Sequence, residues 1–233
     1  MRPPAVVLAG GLGTRLASVV RDVPKPMAPV NGRPFLEYLL AHLEGQGVRQ
    51  VVLAVGHLRE VIIRHFGDRF RGLALSYSVE SEPLGTGGAI RQAFEQAGFA
   101  RAFVLNGDTH CPVDLAALQA CHEAQAAELT LTLTEVADSD RFGAVSLDDQ
   151  GWVRAFREKQ ASRGPGLINA GVYLMERRLL ERAPAQPRFS FETELMQASV
   201  GQAAIAGHIS PASFIDIGIP SEFARAQTLF HLT

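Results

Sequence analysis

The chain has 233 residues and a mass of 25.1 kDa, with 22 Lys+Arg against 24 Asp+Glu and a formal charge of −2. Hydrophobic residues make up 47%, enough for a full core, which excludes disorder; the near-neutral balance without a basic block excludes a dedicated nucleic-acid or membrane-surface binder. Only Cys111 and Cys121 occur, no apolar run approaches a membrane span, and the run after Met1-Arg2-Pro3-Pro4 is too short for a secretion signal, so a cytoplasmic protein is expected.

The first half alternates strand and helix signals. Ala5 to Ala9 is a short apolar run ending in glycines. Leu36, Leu39, Leu40 and Leu43 follow the spacing of an amphipathic helix closed by Gly45. Gln50 to Val55 reads as a buried strand, Leu58 to Phe66 as a helix and Leu73 to Val79 as a strand. Ala89 to Ala97 continues as helix after a glycine cluster, Ala102 to Leu105 is the next strand, and Asp114 caps a helix running to about Glu128. Such alternation predicts a largely parallel sheet with helices on both faces.

The second half changes character. Leu129 to Val136 alternates Thr with Leu, and Phe142 to Leu147 and Trp152 to Phe156 flank a hairpin turn at Asp148-Asp149-Gln150-Gly151. Leu167 to Leu174 reads as strand, Glu176 to Arg182 as helix and Ala183 to Arg188 as a Pro-bearing loop. A helix around Glu192 to Ser199, a strand near Ile205 and a last helix from Ser221 follow. No repeat or linker divides the chain, so residues 1–233 are expected to form one α/β domain: a nucleotide-type half (1–110) and a mixed-sheet half (111–233).

Several short motifs carry chemistry. Gly10-Gly11-Leu12-Gly13-Thr14-Arg15-Leu16 follows the first strand directly, where backbone amides can approach an anion and Arg15 can grip a phosphate. The dinucleotide fingerprint fails at Leu16, and the P-loop fails for want of Gly-Lys-Ser/Thr. Pro24-Lys25-Pro26 fixes a lysine between two rigid residues. Of the 22 basic residues, 20 are Arg and two are Lys, at Lys25 and Lys159; a chain that writes Arg almost everywhere singles out these sites as places for a compact ammonium. Glu82-Pro83-Leu84-Gly85-Thr86-Gly87-Gly88 is a second glycine-rich loop ahead of a helix, suited to a purine edge or to a plain turn. Asn106-Gly107-Asp108 ends a strand where open α/β sheets bind ligands, and Asp216 lies inside the apolar run Phe214 to Gly218. A carboxylate in the first position suits Mg²⁺ against phosphate oxygens, or a simple cap. Glu158-Lys159 and Asn169-Ala170-Gly171 suit sugar hydroxyls and a sugar phosphate, or surface pairing. The His110, Cys111, Cys121 and His122 spacing is not that of a zinc site.

Taken in order, Leu8 to Leu16, Pro24-Lys25-Pro26-Met27, Leu84 to Gly88, Asn106-Gly107-Asp108, Glu158-Lys159 and Asp216-Ile217-Gly218 resemble the sugar-1-phosphate nucleotidyltransferases. Within that family Lys25 to Pro29, Gly32 to Phe35, Glu82 to Ile90 and Phe214 to Pro220 are most similar to guanylyltransferases of D-glycero-α-D-manno-heptose 1-phosphate. The resemblance implies a Rossmann-like three-layer sandwich with a mixed, mainly parallel central sheet, and NTP and a sugar 1-phosphate as substrates. It implies catalytic roles for Arg15 and Lys25, and a nucleotide site of Leu8, Gly10, Gly11, Gly13, Thr14, Leu84, Gly85, Thr86, Gly87, Asn106 and Gly107. Gly143, Glu158, Lys159, Asn169 and Gly171 would hold the sugar phosphate, and Asp108 with Asp216 would hold Mg²⁺. Where many relatives continue Glu-Lys with Pro, this chain has Gln160. A mannose 1-phosphate or other hexose 1-phosphate enzyme, a catalytically silent regulatory subunit and a metal-dependent glycosyltransferase are the alternatives; Asp108-Thr109-His110 departs from the Asp-x-Asp the last would prefer.

Overall fold

The computed structural model describes residues 2–11, 23–137, 139, 144–157 and 164–230. Strand β1 (Ala5–Leu8) leads through a 3₁₀ turn at Lys25–Met27 to α1 (Phe35–Gly45). Then follow β2 (Gln50–Val55), α2 (Arg59–Phe66), β3 (Leu73–Val79), α3 (Gly85–Ala97), β4 (Arg101–Asn106) and α4 (Leu115–Ala124). The second half supplies β5 (Leu129–Val136), β6 (Ala144–Leu147), β7 (Val153–Arg157) and the long β8 (Gly166–Glu176). A 3₁₀ turn at Arg177–Arg182, a π-helical turn at Phe191–Met196, β9 (Ile205–Ile209) and α5 (Pro220–Leu229) complete it.

Among the described residues these nine strands, with the two-residue strand Arg69–Phe70 paired antiparallel to β3, build one ten-stranded mixed sheet. Its centre is parallel, with β1 between β4 and β2 and β3 beyond β2. β8 runs antiparallel to β4 on one side, and β5 also pairs with it. β6 and β7 extend that half as the predicted hairpin, and β9 adds to β5 in parallel.

Successive side chains of a strand point to opposite faces, so a parallel strand covered on both sides must be apolar throughout. β1 obeys this. Ala5 and Val7 join Leu53 of β2, Leu36, Leu39, Leu40 and Leu43 of α1, Ile62 and Phe66 of α2 and Leu115 and Leu118 of α4 in one cluster. Val6 instead joins Val52, Val104, Ile90, Ala93 and Phe94 of α3, and Phe189, Phe191 and Leu195 from the second half. A third, smaller cluster packs Ile215, Ile217, Ala226 and Phe230 against Val30, Phe35 and Tyr38, which ties the C-terminal segment to the beginning of α1.

Three departures from the sequence expectation have physical causes. Helix α3 starts at Gly85, inside the glycine cluster rather than after it, because the segment Pro187–Phe189 packs directly on those glycines. Helix α4 starts after the predicted Asp114 cap but stops at Ala124 rather than near Glu128, since Ala126 takes a left-handed backbone (φ 47°). The helix expected from Glu176 to Arg182 is a 3₁₀ turn at Arg177–Arg182, because Glu176 still pairs with Arg101 at the end of β8; in β5, Leu129 to Thr134 are all buried, with Thr130 bonded to His122 of α4 at 2.8 Å.

Candidate active site

The carboxyl ends of β1, β2, β3 and β4 converge on Gly10, Gly56, Glu80 and Gly107. The ladder continues past the strands, with Ala9 N–H donating to Ala54 O, Glu80 N–H to Val55 O and Gly107 N–H to Leu8 O, all at 2.8–2.9 Å. Gly107 must be glycine, because a Cβ there would stand 2.4 Å from Leu8 O. A Cβ on Gly10 would stand 2.6 Å from Glu80 Oε1, whereas Gly11 is exposed, with no described atom within 4 Å of a Cβ placed on it.

Glu80 was not singled out by the sequence. Its half-buried carboxylate accepts the Leu84 N–H at 2.9 Å, and burial raises its pKa against the lowering effect of that amide. The available signal was an acid directly after the half-buried strand β3 and ahead of a glycine-rich loop.

The second glycine loop is largely occupied by the protein itself. Phe189 N–H donates to Leu84 O and Gly87 N–H to Phe189 O, both at 3.0 Å. A Cβ on Gly85 (φ 70°) would stand 2.5 Å from Phe189 O, one on Gly87 2.1 Å from the Phe189 ring, and one on Gly88 2.2 Å from Pro187 O. Thr86 is engaged as well, donating to Glu192 Oε2 at 2.6 Å and accepting from Phe191 N–H.

Past β4, the chain turns through Gly107-Asp108 into a two-residue ribbon in which Thr109 pairs with Asp216 and His110 with Ile215. Ile217 N–H donates to Asp108 O at 3.0 Å, which fixes the two aspartates side by side. Lys25 completes the group. Its turn is pinned by Met27 N–H to Pro24 O and Ala28 N–H to Lys25 O, with Pro26 buried. Its Nζ lies 2.5 Å from Asp108 Oδ2 and 3.4 Å from Asp216 Oδ1. Asp216 Oδ1 also accepts Gly218 N–H at 2.7 Å. Mg²⁺ needs one or two carboxylates and takes its remaining ligands from water and phosphate. This pair of hard oxygen donors, already gathered around one cationic atom, fits such an ion; no group of three or more potential ligands occurs among the described residues.

Asn169 and Gly171 arrive on a bulge. Along β8 the register passes from Asn169–Leu133 to Tyr173–Leu131, so extra residues are accommodated at Ala170–Val172, with Gly171 at φ 71°. A Cβ on Gly171 would stand 2.8 Å from Asn106 Nδ2, so the bulge brings the second half against the end of β4. Asn169 Nδ2 donates to the buried Tyr173 hydroxyl at 2.7 Å while its Oδ1 accepts Gly171 N–H, which sets the amide's orientation. Burial pushes the Tyr173 pKa far up, keeping that hydroxyl neutral. Of the expected site residues, Leu8, Gly10, Gly107, Asp108, Asp216, Lys25, Asn106, Asn169 and Gly171 are gathered at this end of the sheet. Gly13, Thr14, Arg15, Gly143, Glu158 and Lys159 lie outside the described residues.

A parallel sheet centre with glycine-lined strand ends and paired acids belongs to a nucleotide-dependent enzyme. The family description Nucleotidyl transferase matches residues 4–231, and the chain belongs to that family. D-glycero-alpha-D-manno-heptose 1-phosphate guanylyltransferase of Aneurinibacillus thermoaerophilus is 43% identical over 223 residues, 96% of each chain. The protein of the same name from Campylobacter jejuni is 42% identical over 221 residues, 94% of this chain and 96% of that one. HddC from Yersinia pseudotuberculosis superposes with a TM-score of 0.86 at 35% identity, over 98% of this chain and all of that one; the same protein complexed with GMP-PN gives 0.85.

Proposed function

We propose that this nucleotidyltransferase transfers GMP from GTP to D-glycero-α-D-manno-heptose 1-phosphate, giving GDP-heptose and pyrophosphate. The relatives of that name at 43% and 42% identity support the sugar. The observation that carries the base is Glu80: a carboxylate is an acceptor-only group, and guanine alone among the common bases offers a ring N–H beside an exocyclic amine. Thymine and uracil flank their one N–H with carbonyls, which a carboxylate repels. The Leu84 amide on Glu80 Oε2 holds the acceptor in place beside Gly10 and Gly56.

The reaction needs no general base. A phosphate monoester has a second pKa near 6, so the sugar phosphate oxygen is anionic at neutral pH. It attacks the α-phosphorus, the bond to the bridging oxygen breaks, and pyrophosphate leaves with the electron pair. What remains is to bring anions together in line, which is work for fixed positive charge. Asp108 and Asp216 are the residues that would hold Mg²⁺, which when bound supplies charge neutralisation on the phosphates. Lys25 and Arg15 add cations from the nucleotide side; Glu158, Lys159, Asn169 and Gly171 receive the sugar phosphate. The two free thiols suit a reducing, cytoplasmic setting.

Crossing GTP, UTP, dTTP and ATP with heptose, mannose and glucose 1-phosphates tests the reading through pyrophosphate release. GTP with the heptose phosphate should give the highest kcat/KM, and mannose 1-phosphate, which lacks one hydroxymethylene carbon, a lower one. A higher value for mannose 1-phosphate, or for UTP or dTTP with glucose 1-phosphate, overturns it. Asp108→Asn and Asp216→Asn should each cost about a hundredfold or more in kcat while leaving the melting temperature near wild type. Full turnover by Asp108→Asn at saturating Mg²⁺ refutes the metal assignment.

A further inference from the structure

The acidic pair contains an arrangement that a metal site alone does not require. Lys25 Nζ sits between the two carboxylates, and its side chain is only 9% exposed. The third wall of this space is Gly218, so close that a Cβ there would stand 1.9 Å from Nζ and 2.8 Å from Asp216 Oδ1. The ammonium fills the gap. The backbone beneath it is fixed by the Pro24–Met27 turn, with Pro26 packed near Gly107, so Lys25 can leave only by swinging its side chain.

We propose that Lys25 is a resident counter-cation: its ammonium and a divalent ion compete for the space between Asp108 and Asp216, and the lysine moves to the phosphates when the ion arrives with the nucleotide. This rests on the metal reading above. Two carboxylates held together without a cation repel, and one ammonium offsets half of their charge. A divalent ion offsets all of it and leaves the lysine's charge for the nucleotide. In the absence of nucleotide the ion must therefore evict a buried, hydrogen-bonded ammonium. With nucleotide present, phosphate oxygens receive both the ion and the displaced lysine, so metal and nucleotide strengthen each other's binding. The same space explains the residue type. A planar guanidinium with its fork of donors would not fit between two carboxylates and the Cα of Gly218, whereas a compact ammonium does.

The test uses Mn²⁺ alone as the probe, titrated onto the full chain without nucleotide and followed through the electron paramagnetic resonance of the free ion. Lys25→Gln should bind Mn²⁺ at least tenfold more tightly than wild type, and adding Asp108→Asn to that variant should abolish the gain. Equal or weaker affinity in Lys25→Gln overturns the competition while leaving the metal site intact. Failure of every variant to bind Mn²⁺ overturns the metal reading and the competition with it. If the bare carboxylate pair prevents Lys25→Gln from folding, Gly218→Ala decides. It keeps all three charges but puts a methyl where Nζ now sits, so the same tenfold gain is expected and an unchanged affinity overturns the proposal.

Discussion

The two glycine-rich loops read alike in sequence and are used differently in the fold. At Gly10 a side chain would meet the end of Glu80 at Oε1 and the backbone of Val55 and Gly56, and no described atom lies within 4 Å of a Cβ on Gly11. At Gly85, Gly87 and Gly88 the missing side chains are replaced by backbone and ring atoms of Pro187–Phe189, a hundred residues further along the chain. The first loop packs its opening glycine against the end of β2 and Glu80; the second makes room for the protein's other half. The difference teaches that a glycine cluster before a helix signals close approach, and that what approaches is decided elsewhere in the chain.

The largest expected effect is on stability, and it separates the loops. Gly85→Ala forces a left-handed residue and drives a Cβ into the Phe189 carbonyl, which should cost about 3 kcal/mol and lower the melting temperature by roughly 6–12 °C. Gly10→Ala meets the end of the Glu80 side chain and, at 3.1 Å, the backbone nitrogen of Gly56, so its melting temperature should fall by about 2–4 °C, less than for Gly85→Ala, while its KM for GTP rises. Equal losses of stability in the two variants would erase the distinction.

Next in size is the role of Glu80. Glu80→Gln replaces one acceptor oxygen by a donor and should lower kcat/KM for GTP by roughly 10–100-fold, about the 1–3 kcal/mol of a bidentate base contact. ITP, which lacks the exocyclic amine, sharpens the result: wild type should prefer GTP over ITP strongly, and the variant should lose most of that preference. An unchanged GTP:ITP ratio removes Glu80 from base recognition.

The smallest effect is a pH slope from the far side of the Asp216 ribbon. His110 packs edge-on against Phe35, Phe230 and His42, and burial, then the neighbouring His42, lowers its pKa to about 3. The folded protein keeps it neutral while the unfolded chain protonates it below about pH 6.5. Its contribution is thus complete above that pH and is lost as pH falls from 6.5 towards 3, by up to about 1.4 kcal/mol per unit. His42, also lowered by burial, acts in the same direction. Denaturant titrations at pH 7 and pH 5 should show the loss, and His110→Phe should flatten it; an identical slope in the variant assigns the effect to other groups.

Local patterns made much of the frame legible. Strands β2, β3 and β5 have the bounds that apolar runs and alternation predicted, because propensity and burial agree there. Asp108, Lys25 and Asp216 were legible as chemistry, through position at a strand end, a proline frame and an isolated acid in an apolar run. The family resemblance put the two acids together, but the placing of Lys25 between them was not legible, since it depends on a ribbon of two residues per strand, too short to leave a periodic signal. The same holds for the bulge at Gly171, which only the register of β8 against two neighbours reveals, and for α3, whose start is set by Phe189 rather than by its own glycines.

That ribbon also dates the birth of the site during synthesis. Lys25 and Asp108 are 83 residues apart, but Lys25 and Asp216 are 191 apart. Lys25 and the nearer acid have both been made once β4 and the turn after it are complete. At about 5–20 residues per second, the second acid emerges seconds later, after β8 and β9 have been made. A nascent chain stopped between Asp108 and Asp216 therefore carries the lysine and the nearer acid without the second acid.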